Sequence, residues 1–347
     1  MSMLEEDLLK LADSDIEWKK YENQSALVTG ATGMVGSLLV RTLVYRNRRH
    51  GSNIKVIGLI RNEEKARKLY GTLYGTGEIT FVTGDVNEKT DIPFEVDYIF
   101  HTVSVTASKM MVEHPVMTIE TSYTGTKNML DLAARKKVKG MVYVSSMEVY
   151  GKPDPELQYV HEGDLGYIDL TNVRSSYSEG KRICECLCTA YASEYNVPVR
   201  SARLAQTFGA GILENDNRVY AQFARSAIQK EDIVLHTDGT SEGNYCYTRD
   251  VVKALLILGY AGRAGEAYNI VNEKSHMQIR EMAEMVTEQI AGGEIKVVYD
   301  IPESAKVYGY APPVKMHLSA DKMRELGWEA EVDMKEAYLR MMHDMTE

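Results

Sequence analysis

The sequence predicts an α/β fold, a doubly wound parallel sheet with a smaller mixed α/β lobe toward the C-terminal end. Three observations predict it. Short apolar runs alternate with helix-length segments as far as about residue 210. Glycines cluster directly after the first of those runs, in "TGATGMVG". Beyond residue 210 the alternation becomes irregular, with no internal repeat and no low-complexity linker. Strands alternating with helices build a parallel sheet covered on both faces, because each crossover lays its helix over the sheet.

Residues 4–22 read as a helix placed ahead of the first strand. "SALVTG" is a short buried strand, and "ATGMVGSLLVRTLVYR" carries apolar residues at helical spacing. "IKVIGLI" is the second strand, "EITFVTGD" the third and "VDYIFHTV" the fourth. The helix "TGTKNMLDLAARKK" separates the fourth strand from the fifth, "KGMVYVSS". An irregular stretch with Pro153, Pro155 and Gly163 leads into the helix "SSYSEGKRICE", and "VPVRSARLA" is the sixth strand. At 347 residues the chain exceeds the usual size of one domain. The division expected is a helical extension at 1–24, a nucleotide-binding sheet domain at 25–210 with return segments around 245–272, and a mainly substrate-binding lobe at 211–347.

A composition of 44% apolar and 26% charged residues suffices for a sizeable core. The net charge of −10 leaves no basic surplus to displace counterions, so no nucleic acid is expected as a partner. No apolar run approaches the length of a membrane span, and "MSMLEEDLLKLADSD" is too acidic for a signal peptide, so a cytoplasmic protein without membrane contact is expected. Four cysteines fit a reducing compartment. Cys184, Cys186 and Cys188 share one helix, where only Cys184 and Cys188 face the same way. Without Cys or His partners at zinc spacing they read as small core residues, and no metal is expected.

Gly30, Gly33 and Gly36 stand in a G-x-x-G-x-x-G spacing at a strand-to-helix junction. Glycine suits that place because the backbone must turn sharply and approach a pyrophosphate closely, while the helix N-terminus offers free N–H groups to the anion. Following the first strand of an alternating pattern, the motif predicts a Rossmann dinucleotide site. Sites for NAD usually end the second strand with an acid that holds the ribose hydroxyls. Here the strand ends "GLIRNEEKA", with Arg61 near that position and no acid before Glu63. A guanidinium there can pair with a 2′-phosphate or stack on adenine, so the cofactor is NAD or NADP with a lean to NADP. Asp85, after the third strand, is placed to accept from the adenine amino group or to cap the next segment.

Tyr177 and Lys181 lie four apart on one helix, so both side chains leave the same face. Beside an ammonium and an oxidised nicotinamide, a phenol that ordinarily ionises near ~10 becomes a workable base for a substrate hydroxyl. Ser146 follows the fifth strand, at the carboxyl edge where open α/β sheets bind ligands, and can hold the substrate oxygen. His101, at the end of the fourth strand, reads as a satisfied structural histidine.

"TGATGMVG", the "GD" at 84–85, "SSMEVYG" and "YSEGK" occur in an order and spacing that resembles the extended short-chain dehydrogenase/reductase family. The likeness runs from about residue 25 to 330 and ends in "ELGWEA". Within that family the segment 175–211 looks most like UDP-glucuronate decarboxylases and sugar 4,6-dehydratases. The resemblance implies a nucleotide-sugar enzyme that uses bound NAD(P) for transient oxidation at C4, as an epimerase, a dehydratase or a decarboxylase. It assigns Ser146, Tyr177 and Lys181 to the C4 hydroxyl and Glu148 to chemistry near C5. Cofactor contacts are expected at Gly30, Thr32, Gly33, Met34, Val35, Gly36, Arg61, Asp85, Val86, Thr102, Val103, Tyr177 and Lys181. Substrate contacts are expected at Ser104, Gln206, Arg218, Arg225 and Tyr245, and a homodimer through helices near 117–135 and 177–195.

The sequence departs from the family pattern at three places. Met147 replaces the aspartate of many sugar dehydratases, and a thioether cannot donate its proton. Gly243 and Asn244 occupy the positions where an arginine commonly meets the substrate pyrophosphate, with Arg249 pointing elsewhere beside Asp250. Gln206 stands where asparagine is usual. Arg218 and Arg225, seven apart on an expected helix, are the compensating diphosphate clamp. The alternative reading is an NADPH-dependent carbonyl reductase of the same family, favoured by Arg61 and the missing arginine.

Overall fold

The computed structural model describes residues 1–89, 91–213, 216–301 and 315–346. Its strands are β1 (Ser25–Thr29), β2 (Lys55–Ile60), β3 (Ile79–Thr83), β4 (Tyr98–His101), β5 (Gly140–Ser146), β6 (Val199–Leu204), β7 (Gln206–Phe208), β8 (Ile233–Leu235), β9 (Glu242–Tyr247), β10 (Ala267–Ile270), β11 (Asn272–Gln278) and β12 (Val297–Tyr299). The helices are α1 (Met3–Ala12), α2 (Met34–His50), α3 (Glu63–Tyr70), α4 (Ser108–Glu113), α5 (Pro115–Lys136), α6 (Ser175–Tyr195), α7 (Val219–Gln229), α8 (Thr248–Tyr260), α9 (Ile279–Met285), α10 (Asp321–Glu325) and α11 (Met334–Thr346).

Seven strands form one parallel sheet in the order β10-β6-β5-β4-β1-β2-β3. β1 is buried along its whole length and β2 after its first residue, because helices cover both faces and leave no solvent side to alternate toward. The strand order reverses between β1 and β4, which opens a crevice at their carboxyl ends. Thr29 and His101 end β1 and β4 as aligned neighbours, and β5 runs three residues beyond their partner Tyr143 to Ser146. α5 and α6 pack against each other across Gly180, where a Cβ would lie only 3.2 Å from the Ser122 hydroxyl.

The expected helix at 4–22 is divided. α1 ends at Ala12, and the "DSDIE" stretch breaks it because Ser14 turns its hydroxyl back onto the Leu11 carbonyl at 2.7 Å. A single 3-10 turn, Trp18–Lys20, then delivers Tyr21 into the core, where its hydroxyl donates to the Leu256 carbonyl at 2.5 Å. α1 also carries a buried acid. Asp7 accepts from the Tyr247 hydroxyl at 2.6 Å, from Arg340 at 2.8 Å and from Arg249 at 3.2 Å. One carboxylate therefore ties α1 to β9, α8 and α11.

Two smaller sheets follow, β11-β9-β7 with mixed pairing and the parallel pair β12-β8. They enclose a second core of Phe208, Tyr220, Tyr245, Tyr247 and Tyr338. Trp328 in "ELGWEA" is buried and its indole N–H donates to the Asp250 carbonyl at 3.0 Å, pinning the C-terminal segment to α8. Cys184 and Cys188 are buried and Cys186 exposed, as one helix face requires.

Candidate active site

The glycine turn sits at the head of the crevice. Gly30 has φ +67, and a Cβ there would lie 2.8 Å from the Thr102 hydroxyl. A Cβ on Gly36 would meet the Gly30 carbonyl oxygen at 2.3 Å, so the helix start packs directly on the turn. Gly33 is the residue before α2 and offers no side chain to its free N–H groups. Thr32, Met34 and Val35 remain half-buried around the turn, as do Thr102, Val103 and Ser104 at the end of β4. The cradle has the shape and free donors that a pyrophosphate needs. Gly36→Ala is expected to weaken NAD binding by at least about tenfold, since the overlap is with backbone and moves the turn; calorimetric titration with NAD measures it.

At the far side of the crevice, Arg61 follows β2 and is 70% exposed, with its guanidinium 3.8 Å from the Asp85 carboxylate. Asp85 also accepts from the Asn87 amide at 2.9 Å. Val86 is buried against Gly125 of α5, so its side chain serves packing.

His101 is held between two hydroxyls, Thr29 at 2.8 Å and Thr126 at 3.3 Å. Burial, and then the Lys181 ammonium, push its pKa down to about 3. An unfolded chain binds a proton there below pH ~6.5 that the folded chain refuses, so stability falls as pH drops from that value. The loss is about 2 kcal/mol by pH ~5. Urea unfolding at the two pH values should show a smaller loss in His101→Asn than in the parent protein.

Ser146 ends β5, Tyr177 lies in the first turn of α6, and Lys181 follows one turn later. Ser146 and Ser104 stand close enough to the Tyr177 phenol to favour its ionised form. Burial raises the Tyr177 pKa, the Glu148 carboxylate raises it further, and the two serines and Arg174 oppose the rise. Lys181 is buried and donates to the Val144 carbonyl at 2.7 Å. Its ammonium lies 4.8 Å from the Tyr143 ring centre and 5.8 Å from that of Tyr177. Burial lowers its pKa to about 8. The lysine is thus anchored to the strand with its ammonium over the tyrosine ring.

Glu148 projects from the 3-10 turn after β5 and is fixed at both oxygens. Arg174 donates to one at 2.8 Å and Ser178 to the other at 3.3 Å. Sequence reasoning missed both donors. Their i, i+4 spacing at the start of α6 was the available signal, since it repeats the Tyr177–Lys181 spacing three residues earlier.

Other expected contacts fall differently. Arg218 precedes α7 rather than lying on it, and its guanidinium is paired with the Asp216 carboxylate. Arg225 donates to the Asp216 backbone carbonyl at 2.6 Å. The two arginines therefore converge on one aspartate, with Arg218 close enough to Tyr177 for their charges to interact. Gln206 is half-buried in β7 opposite Tyr245. Tyr245 itself is 1% exposed and packs edge-on against Phe208 in the core instead of on a pocket wall. The missing arginine also has a structural explanation. A side chain at Gly243 would meet the Tyr245 hydroxyl at 2.3 Å. Asn244 is fully buried, where it clamps the backbone of Met316 and Leu318 at 2.8 and 2.9 Å.

A family model for the NAD dependent epimerase/dehydratase family matches residues 26–271. UDP-glucuronic acid decarboxylase 6 of Arabidopsis thaliana is 31% identical over 324 residues, covering 93% of this chain and 89% of that protein. Among solved structures, an epimerase from Methanothermobacter thermautotrophicus superposes with a TM-score of 0.79 at 24% identity, covering 97% of this chain and 95% of that one. The UDP-glucose 4-epimerase of Thermotoga maritima gives 0.77 at 20% identity over 93% and 99%. The parallel seven-stranded sheet agrees with these matches, and the chain belongs to the NAD dependent epimerase/dehydratase family.

Proposed function

We propose that this protein is a nucleotide-sugar modifying enzyme in which Tyr177 removes the proton from the C4 hydroxyl of a nucleoside-diphosphate sugar. The observation that carries the reading is the buried Tyr177 phenol beside Ser146 and Ser104, with Lys181 anchored to the Val144 carbonyl and 5.8 Å from its ring centre. Bound NAD would supply hydride transfer at C4, held by the glycine turn with Thr32, Met34, Val35, Thr102 and Val103. Ser146 steers the hydroxyl onto the phenol, and Tyr177 returns the proton when the C4 carbonyl is reduced again. Glu148, whose carboxylate accepts from Arg174 and Ser178, is oriented by these donors and acts as a base near C5. Met147 offers no proton for a leaving hydroxyl, so sugar decarboxylation or epimerisation suits the residues better than dehydration.

The relatives named as UDP-glucuronic acid decarboxylases make UDP-glucuronate the first substrate to test. Arg218 is the basic group for the diphosphate, displacing Asp216 when substrate arrives. NAD is the preferred dinucleotide, because Asp85 already engages Arg61 and would share it with a 2′-phosphate. Exposed Val116, Ile119 and Tyr123 on α5, with Ile183 on α6, support a homodimer through these helices. Free cysteines fit a cytoplasmic setting, and no described helix is long and apolar enough to cross a membrane. Incubating the NAD-loaded protein with UDP-, dTDP-, GDP- and CDP-sugars and weighing the products tests the reading. A lost carboxyl or an inverted centre in one sugar supports it; steady consumption of NADPH by a simple carbonyl compound supports a reductase instead.

A further inference from the structure

Arg174 is the residue that enters α6, three positions before Tyr177. Its guanidinium carbon lies 5.5 Å from the centre of the Tyr177 ring, while one of its nitrogens donates to Glu148 at 2.8 Å. Its other terminal nitrogen is buried with no hydrogen-bond partner among the described residues. Leaving a buried guanidinium donor unsatisfied costs stability, so packing alone does not explain this placement. The side chain bridges the two groups that would carry protons in the proposed reaction. Glu148 sits near enough to Tyr177 to oppose ionisation of the phenol, and the Arg174 cation beside both works against that effect.

We infer that Arg174 is a positioning residue for proton transfer at Tyr177, holding Glu148 as its counter-ion so that a carboxylate and an ionising phenol can share one site. The inference rests on the reading of Tyr177 as the base. Around the phenol stand Ser104 from the end of β4, Tyr143 and Ser146 from β5, and Glu148 from the turn that follows. Lys181 and Arg174 come from α6 and its entry, and Arg218 from the entry to α7. Among these charged groups, Glu148 is the acid bonded to Arg174 and Arg218 is itself paired with Asp216. Arg174 is therefore the cation whose removal frees the acid closest to the chemistry.

The test follows the phenol directly and needs no substrate. Protein labelled with carbon-13 at tyrosine Cζ is titrated toward high pH by NMR, and the Tyr177 resonance is the one missing from Tyr177→Phe. Arg174→Gln should move its ionisation up by about one pH unit, because a cation is lost and an anion uncovered together. Arg174→Lys should restore the position, Glu148→Gln should shift it down, and the Arg174→Gln, Glu148→Gln double variant should return close to the parent. Tyr177 ionising at the same pH in Arg174→Gln overturns the inference, and so does a shift that Arg174→Lys leaves uncorrected. Should Arg174→Gln fail to fold, the downward shift in Glu148→Gln and the return in the double variant still decide it. Because no sugar is present, a negative substrate screen counts against the proposed function without touching this result.

Discussion

Replacing Tyr177 by phenylalanine should lower turnover about 10³-fold while leaving NAD affinity within about twofold of the parent, as expected when a general base is lost and its ring retained. The ring of Tyr177 fills a buried position between Ser146, Ser104 and Arg174, and phenylalanine fills it equally. The glycine turn packs on Thr102, Val103 and its own backbone rather than on the phenol. Lys181 keeps its bond to the Val144 carbonyl in the variant, so the loss isolates the hydroxyl. Product formation from the sugar identified in the screen, set against calorimetric NAD binding, separates the two effects. Equal turnover in variant and parent would remove Tyr177 from the chemistry.

The second large effect is on stability. Asp7→Ala should cost about 3 kcal/mol, the low end for a broken buried ion pair, because it removes the acid shared by Arg249 and Arg340 and leaves them the more exposed Glu331 and Glu6. Asp7 is 1% exposed, and each arginine side chain is 8% exposed, so water cannot take over. Among the described residues the Arg340 Nε has no hydrogen-bond partner, so the side chain depends on Asp7 and on Glu6. Urea unfolding followed by circular dichroism gives the value. A change below about 0.5 kcal/mol would mean that α1 is an ornament on the fold rather than a fastener of α8 and α11.

The parts legible in the sequence were those written locally. A glycine triplet after a strand and a tyrosine one turn before a lysine are backbone and helix-face patterns, and they name their neighbours through the fold that any alternating chain adopts. The parallel sheet followed from the alternation for the same reason. Residues whose partners come from distant segments were not legible. Tyr245 was expected among the substrate contacts, yet it lies in the core, on β9 opposite Gln206 of β7. Asn244 looked like a lost arginine, although its task is to hold residues 316 and 318 more than seventy positions away. The arginine at 218 was set on a helix by spacing alone, while the helix starts one residue later and leaves Arg218 to Asp216. Asp7 carried no signal at all, since nothing in "MSMLEEDLLKLADSD" distinguishes the one acid that is buried.

The sharpest measurement is the near-ultraviolet absorbance of the nicotinamide during a single turnover of NAD-loaded protein with UDP-glucuronate. The proposed proton and hydride cycle predicts that the reduced form appears, decays as product forms, and leaves no net change in cofactor. Net consumption of added NADPH, or product formed while the absorbance never departs from its starting value, would contradict it.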